Sequence, residues 1–141
     1  MQEAILLSAI ALFIFHTVLL LKKRFIVTER FTHTVVTVIA SGAGFTSSLS
    51  LVLIFKGDML WSLGLFLLAG YICGAVSGYA STAVSGAING SIGSVMGFML
   101  GEVLLNPELC GLPIQEWQLV LPIGSMIYFL FVSLIILLSY R

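Results

Sequence analysis

Four polar residues stand within long apolar runs, where they could take part in transport or ligand binding. Glu102 lies near the end of one run, Asn89 lies in the same run, and Ser47 and Ser48 belong to an earlier run. Ionisable side chains are costly inside a bilayer, and those that occur there often mark ion or proton pathways. We therefore predict Glu102, Asn89, Ser47 and Ser48 as residues of a possible ion or solute path.

Each of these residues also has a plainer interpretation. Glu102 could reach water at the membrane surface or pair with Lys56, instead of binding a cation or a proton in a cavity. Asn89 could form a hydrogen bond between two helices. The hydroxyls of Ser47 and Ser48 could bond back to their own helix. The sequence leaves these alternatives open.

Histidine and methionine residues offer ligands for haem or a metal, but their spacing matches no specific motif. His16 and His33 could approach each other as a haem-binding pair, and the thioethers of Met96 and Met99 would suit Cu(I). A buried, hydrogen-bonded His16, an interfacial His33 and methionines that fill gaps between helices are the simpler interpretation. We therefore predict no cofactor and no metal site, with haem or copper as the less favoured alternatives.

The sequence contains no recognisable catalytic constellation. It has no glycine-rich phosphate loop after a strand, no HExxH motif and no pair of carboxylates at hydrolase spacing. Between the apolar runs, the polar stretches are too short to house an independent active site. We therefore predict that the protein is not an enzyme.

The composition is that of a chain surrounded by lipid. Of its 141 residues, 60% are hydrophobic and only 9% are charged, whereas a soluble domain carries about 25% charged residues. Such a chain cannot cover a globule with a solvated surface. The formal net charge is zero, which argues against nucleic acid as a partner. The sequence predicts an all-α integral membrane protein with the lipid bilayer as its main environment.

Five apolar runs approach the length of about 20 residues that crosses a bilayer. The predicted spans are 4–21, 34–55, 59–80, 84–105 and 118–139. The stretch from Met59 to Leu105 is too long for one crossing, so it must reverse direction once. Small and hydroxyl residues place this reversal in 77–85, as a loop or a re-entrant break near Ser81. Together the runs predict a single transmembrane domain of five helices.

Basic residues predict the orientation of these spans. Lys56 falls on one side of the five-span arrangement, and the other five basic residues fall on the opposite side. Those five are Lys22, Lys23, Arg24, Arg30 and Arg141. Cytoplasmic loops carry the excess of basic residues, so we predict that the N-terminus is outside and the C-terminus is cytoplasmic. Cys110 is then expected in an outer loop, whereas Cys73 is expected to be buried in the third span.

Small residues recur at every fourth position in the third and fourth spans. The row in the third span is Gly70, Gly74 and Gly78, and the two rows in the fourth are Gly86, Gly90, Ser94 and Gly93, Gly97, Gly101. Residues four apart share one helix face, and small residues let helices approach closely in lipid. We therefore predict a tight core of the second, third and fourth helices around a glycine-rich hairpin, with the first and fifth helices facing lipid. Because the fourth helix has two small faces, one of them could instead join copies in a homo-oligomer.

Two functional hypotheses follow from these patterns. The first is a non-catalytic subunit or assembly factor of a membrane complex, because the chain has almost no soluble part that could gate or couple transport. The alternative is a homo-oligomeric channel or transporter for a small ion or solute, because glycine faces are so frequent within one chain. The expected partners are other membrane subunits in the first case and further copies of the chain in the second.

Overall fold

The computed structural model describes residues 2–23, 28–55, 59–106 and 117–139. In these ranges the chain forms five α-helices and no strand, which confirms the all-helical prediction. The helices are α1 (Gln2–Lys23), α2 (Glu29–Phe55), α3 (Met59–Ala75), α4 (Ala80–Leu105) and α5 (Trp117–Ser139). The predicted loop residues Lys56, Cys110 and Arg141 lie outside the described ranges.

Four helices are long and apolar enough to cross a membrane. They are α1, α2, α4 and α5, whose membrane-compatible segments contain 20 to 27 residues each. Helix α3 is also apolar but has 17 residues, or about 25 Å at 1.5 Å per residue, against a hydrocarbon core of about 30 Å. Length and composition therefore indicate a membrane protein, whereas the crossing by α3 stays a prediction.

Side-chain contacts define the relative directions of the helices. Ser8 of α1 lies next to Met126 of α5, and His16 of α1 lies next to Ser133 of α5. These two contacts advance together along both helices, so α1 and α5 run parallel. By the same criterion α2 and α4 run parallel, and α3 runs antiparallel to both. Helix α2 runs antiparallel to α5, because Gly42 lies against Phe129 while Val36 lies in one cluster with Ile136. Successive helices therefore alternate in direction.

Helix α2 is the centre of the bundle. It contacts each of the other four helices. In its most apolar 18-residue stretch, 56% of the residues are buried, compared with 22% in the corresponding stretches of α1 and α5. Near the start of α2, Val36 and Ile39 pack with Leu20 of α1, Cys73 of α3 and Ile136 of α5. The other four helices therefore bury one face against α2, whereas α1 and α5 leave most of their remaining surface exposed.

The turn between α3 and α4 occupies 76–79, earlier in the chain than the predicted spans 59–80 and 84–105 place it. Helix α3 ends at Ala75, and α4 begins at Ala80. The hydroxyl of Ser77 donates to the carbonyl of Gly74 at 2.6 Å, and Gly78 adopts a left-handed φ of 85°, which glycine does without steric cost. These local bonds stop α3 and reverse the chain. Gly78 therefore serves the turn and not the helix-packing row to which its spacing assigned it.

Candidate functional site

One glycine row of α4 packs against α3. Gly86 lies against the backbone of Gly70, and Gly90 lies against the backbone of Phe66. Gly74 meets the first turn of α4 in the same way. Each step of four residues along α3 is matched by a step of four back along α4. A Cβ on these glycines would meet backbone atoms of the opposite helix, so only glycine permits this separation.

The other glycine row of α4 packs against α2. Three glycines face three residues of α2: Gly93 faces Ser41, Gly97 faces Phe45 and Gly101 faces Val52. Both small faces of α4 are therefore covered within one chain. The homo-oligomer hypothesis assumed that one of these faces would be left free, and that premise does not hold. A contact between copies would have to use another surface.

Three buried serines form a hydrogen-bonded ring where α2, α3 and α4 meet. The oxygen atoms of Ser48 and Ser62 are 2.8 Å apart, and those of Ser62 and Ser94 are 2.9 Å apart. Ser94 closes the ring by donating to Ser48 at 3.5 Å. Each hydroxyl can donate once and accept twice, so the three satisfy one another without water. Ser48 thus has a bonding role between helices that its position in a hydroxyl run did not reveal.

Ser47 and Ser50 extend the buried hydroxyl group on α2. Ser50 donates to the carbonyl of Thr46 in its own helix at 2.9 Å. Ser47 is 1% exposed, and its hydroxyl has no hydrogen-bond partner within the described ranges. A serine inside a helix ordinarily bonds back to a carbonyl one turn earlier. The back-bonding alternative for the hydroxyl run therefore describes Ser50 but neither Ser47 nor Ser48.

Asn89 bonds within its own helix and reaches α2 only through Ser85. Its amide nitrogen donates to the Ser85 carbonyl at 2.8 Å and approaches the Ser85 hydroxyl at 3.3 Å. That hydroxyl in turn lies 2.9 Å from the hydroxyl of Thr37 on α2. The arrangement links α2 and α4 through Thr37, Ser85 and Asn89 in series.

Glu102 lies in the last turn of α4, apart from the other three predicted path residues. The side-chain amide of Asn106 donates to its carboxylate at 3.3 Å. Thirteen positions separate Glu102 from Asn89, or about 20 Å along the helix at 1.5 Å per residue. A carboxylate at a helix C-terminus faces the negative end of the dipole, so this position does not stabilise the helix. The structure does not bring Glu102 together with Asn89, Ser47 or Ser48.

His16 is buried at the interface of α1 and α5. It is 1% exposed, and its Nδ1 donates to the Leu12 carbonyl at 2.9 Å. Because that carbonyl can only accept, Nδ1 carries the proton, and in the neutral ring Nε2 accepts from the hydroxyl of Ser133 at 3.1 Å. Sequence reasoning missed Ser133, although a hydroxyl with apolar residues on both sides in the second half of α5 was a usable signal.

The possible haem and metal ligands do not converge in the described part of the chain. His33 is exposed at the start of α2, whereas both ring nitrogens of His16 are engaged at the interface of α1 and α5. Met96 and Met99 are 60% and 59% exposed on the outer face of α4. No group of three or more His, Cys, Asp or Glu side chains is placed to hold a metal ion among these residues.

A surface groove of about 470 Å³ separates α4 from α5. Its floor is α2, and its lining is almost entirely apolar or small. Its lining includes Gly42, Phe45, Gly93, Met96, Gly124 and Tyr128. A Cβ placed on Gly124 would meet no atom within 4 Å, so this wall of the groove is open. We refer to this feature as the α4–α5 groove.

The interior chemistry is that of helices joined by hydrogen bonds, and the open surface is apolar. In the described ranges, many buried polar groups form hydrogen bonds within the chain and are therefore not available to a solute. They belong to the ring of Ser48, Ser62 and Ser94, to the Thr37–Ser85–Asn89 series and to the His16–Ser133 bond. The lining of the α4–α5 groove contains no charged residue.

No family model, no curated protein and no solved structure matches the chain.

Proposed function

We propose that this protein is a non-catalytic subunit or assembly factor of a membrane complex. The observation that carries the proposal is the use of its polar groups: Ser48, Ser62, Ser94, Asn89 and His16 bond to helices of the same chain. A transport path needs polar groups that are exposed to a passing solute. An assembly subunit needs a rigid apolar body, which this bonding pattern supplies.

The proposed topology has five spans, with the N-terminus outside and the C-terminus cytoplasmic. The alternating helix directions support it, because α3 then begins on the side where α2 ends and returns to the side where α4 begins. Seventeen residues are at the lower limit for a crossing, and a bilayer accommodates a short helix by local thinning. Lys22 and Arg30 lie at the ends of α1 and α2 that would face the cytoplasm.

This topology predicts that Cys110 reacts with a thiol reagent that cannot cross membranes, added to intact cells. An Ala80→Cys, Cys110→Ser variant is the matched control, since its cysteine would be exposed at the end of α4 proposed to be cytoplasmic and should react only after lysis. Disulfide-reducing agent is added first in both cases, so that pairing cannot mask the thiol. Labelling of Cys110 only after lysis would contradict the proposed orientation.

The α4–α5 groove is the proposed docking surface for a transmembrane helix of another subunit. Gly124 in one of its walls is open, because a Cβ there would meet no atom within 4 Å, and it would let a second helix approach closely, which is how helices associate in lipid. Helices α4 and α5 touch each other only slightly along their length, so the groove follows the direction in which a membrane helix must run.

We expect Gly124→Leu to remove the partner chain from the complex without unfolding the protein. The leucine would project into open space in the groove, so the fold should tolerate it while a docked helix would not. Gly64→Leu is the matched control, because a Cβ at Gly64 of α3 also meets no atom within 4 Å but lies outside the groove. The measurement is native mass spectrometry of protein extracted gently from its own membrane.

The outcome of that measurement separates the two functions. A second chain in fixed ratio that is lost in Gly124→Leu and retained in Gly64→Leu supports the subunit proposal. A repeated 15.2 kDa mass alone would contradict it and favour the homo-oligomeric channel or transporter. In that case flux in liposomes should be abolished by Glu102→Gln, because Glu102 is the carboxylate predicted for the path.

A further inference from the structure

A charged pocket lies at the end of the bundle where α2 and α4 begin. It has a volume of about 420 Å³ and is lined by Glu29, Arg30, His33 and Ser81. The first three belong to the first two turns of α2, and Ser81 belongs to the first turn of α4. Because α2 and α4 run parallel, their N-termini meet here, and both helices contribute positive dipole ends. We call this feature the helix-start pocket.

The pocket presents the carboxylate of Glu29 beside the guanidinium of Arg30 and the imidazole of His33. Ser81 donates its hydroxyl to Glu29 at 2.8 Å, which holds the carboxylate across the gap between the helices. Within the described ranges, the side chains of Arg30 and His33 make no hydrogen bond or ion pair and remain available to a ligand. A ligand that matches this arrangement carries a negative group for Arg30 and a positive group for Glu29.

The pocket lies where the charged ends of the helices meet their apolar segments, which is the level expected for lipid headgroups. Lys22 lies at the adjoining end of α1, and charged residues then give way to apolar ones along each helix. Val84 and Ile88 continue from Ser81 along one face of α4 and are 55% and 52% exposed. A lipid whose headgroup entered the pocket could therefore lay an acyl chain along α4.

We propose that the helix-start pocket binds the headgroup of a phospholipid with a primary amine, the phosphoethanolamine group. Arg30 pairs with the phosphate, since a guanidinium matches phosphate oxygens in a two-pronged contact. Glu29 accepts hydrogen bonds from the ammonium group, and His33 lies on the same wall to donate to the phosphate. The two opposite charges of the headgroup thus meet the two opposite charges of the pocket.

The charge arrangement predicts a specific order of lipid binding. Phosphatidylglycerol has the phosphate but lacks the amine, so Glu29 would repel it or remain unpaired. Phosphatidylcholine has a quaternary ammonium that cannot donate a hydrogen bond to Glu29. Phosphatidylethanolamine should therefore be retained in preference to both, and the preference should depend on Glu29 and Arg30 separately.

Native mass spectrometry of the full chain in detergent, with each lipid added in turn, tests this inference. We expect about tenfold weaker retention of phosphatidylethanolamine for Arg30→Gln, the effect of one lost charge-assisted contact. Glu29→Gln should abolish the preference over phosphatidylglycerol. Lys22→Gln is the matched control, because it removes a charge at the same end of the bundle from outside the pocket lining and should change neither result.

The lipid proposal is overturned if the wild type retains the three lipids equally, or if Arg30→Gln retains phosphatidylethanolamine as well as Lys22→Gln does. Circular dichroism shows whether the variants keep their helices, as expected for substitutions of exposed residues. Soluble phosphoethanolamine, added as a competitor, distinguishes the source of the recognised group. Release of the lipid supports recognition of the headgroup alone, and retention supports recognition of the headgroup with its acyl chains.

Discussion

Gly70→Ala should destabilise the protein by about 2–3 kcal/mol, the upper part of the range for overpacking a tight interior. The added methyl group would meet the carbonyl of Gly86 on α4, and a Cβ on Gly86 would meet the carbonyl of Gly70 in return. Both obstacles are backbone atoms, which cannot rotate away as a side chain does. Helices α3 and α4 would have to separate, and the buried Ser62–Ser94 hydrogen bond nearby would lengthen.

The matched control is Gly64→Ala, the same substitution two turns earlier on the same helix. A Cβ there meets no atom within 4 Å, so only helix propensity changes, in favour of alanine by about 0.5–1 kcal/mol. The measurement is the loss of helical circular dichroism as SDS replaces a mild detergent. If Gly70→Ala were as stable as Gly64→Ala, the close contact of α3 with α4 would be refuted.

His16→Ala should cost about 2–4 kcal/mol, as for other truncations of large buried side chains. The substitution would leave a cavity between α1 and α5 and remove the ring nitrogen that lies 3.1 Å from the Ser133 hydroxyl. Ser133 could turn back to a carbonyl of its own helix, so the loss of the hydrogen bond is the smaller part of the effect. The same SDS titration measures the change in stability.

Two further variants separate packing from hydrogen bonding at this position. His33→Ala removes the exposed histidine and should change stability by no more than about 0.5 kcal/mol. A double-mutant cycle of His16→Ala with Ser133→Ala isolates their mutual bond, for which interhelical hydrogen bonds in membranes average about 0.6 kcal/mol. Additive effects of the two substitutions would show that the pair does not couple α1 to α5.

The Gly97→Leu substitution in α4 tests a different property once the fold is known. The sequence alone makes Gly97→Leu a test of association between copies, because Gly97 belongs to a row that could face outward. In the folded chain Gly97 lies against the backbone of Phe45 on α2. A leucine at this position would therefore force α2 and α4 apart within the monomer, and a change in assembly size would follow from misfolding.

Hydropathy and residue spacing predict the all-helical, apolar character of the chain and the approximate extent of its helices without any knowledge of the fold. Hydropathy is a local property, so apolar runs with charged ends predict helices such as α2 and α4 directly. Spacing by four is also local, and it predicts that Gly70 shares a helix face with Gly74 and that Gly93 shares one with Gly97. These predictions needed no knowledge of which helices are neighbours.

The contacts between side chains of different helices follow from the packing of the folded chain and not from any pattern in the sequence. The partners that Ser48, Ser85 and His16 have on other helices depend on the order of the helices around α2 and on the rotation of each helix about its axis. A pattern within one helix carries no information about either quantity. The position of Gly78 was also not predictable from spacing. Its spacing of four from Gly74 predicts a helix, but the hydrogen bond of Ser77 to Gly74 ends α3 before Gly78. The helix-start pocket exists for the same reason: parallel packing of α2 and α4 places Glu29 beside Ser81, which are 52 positions apart in the chain.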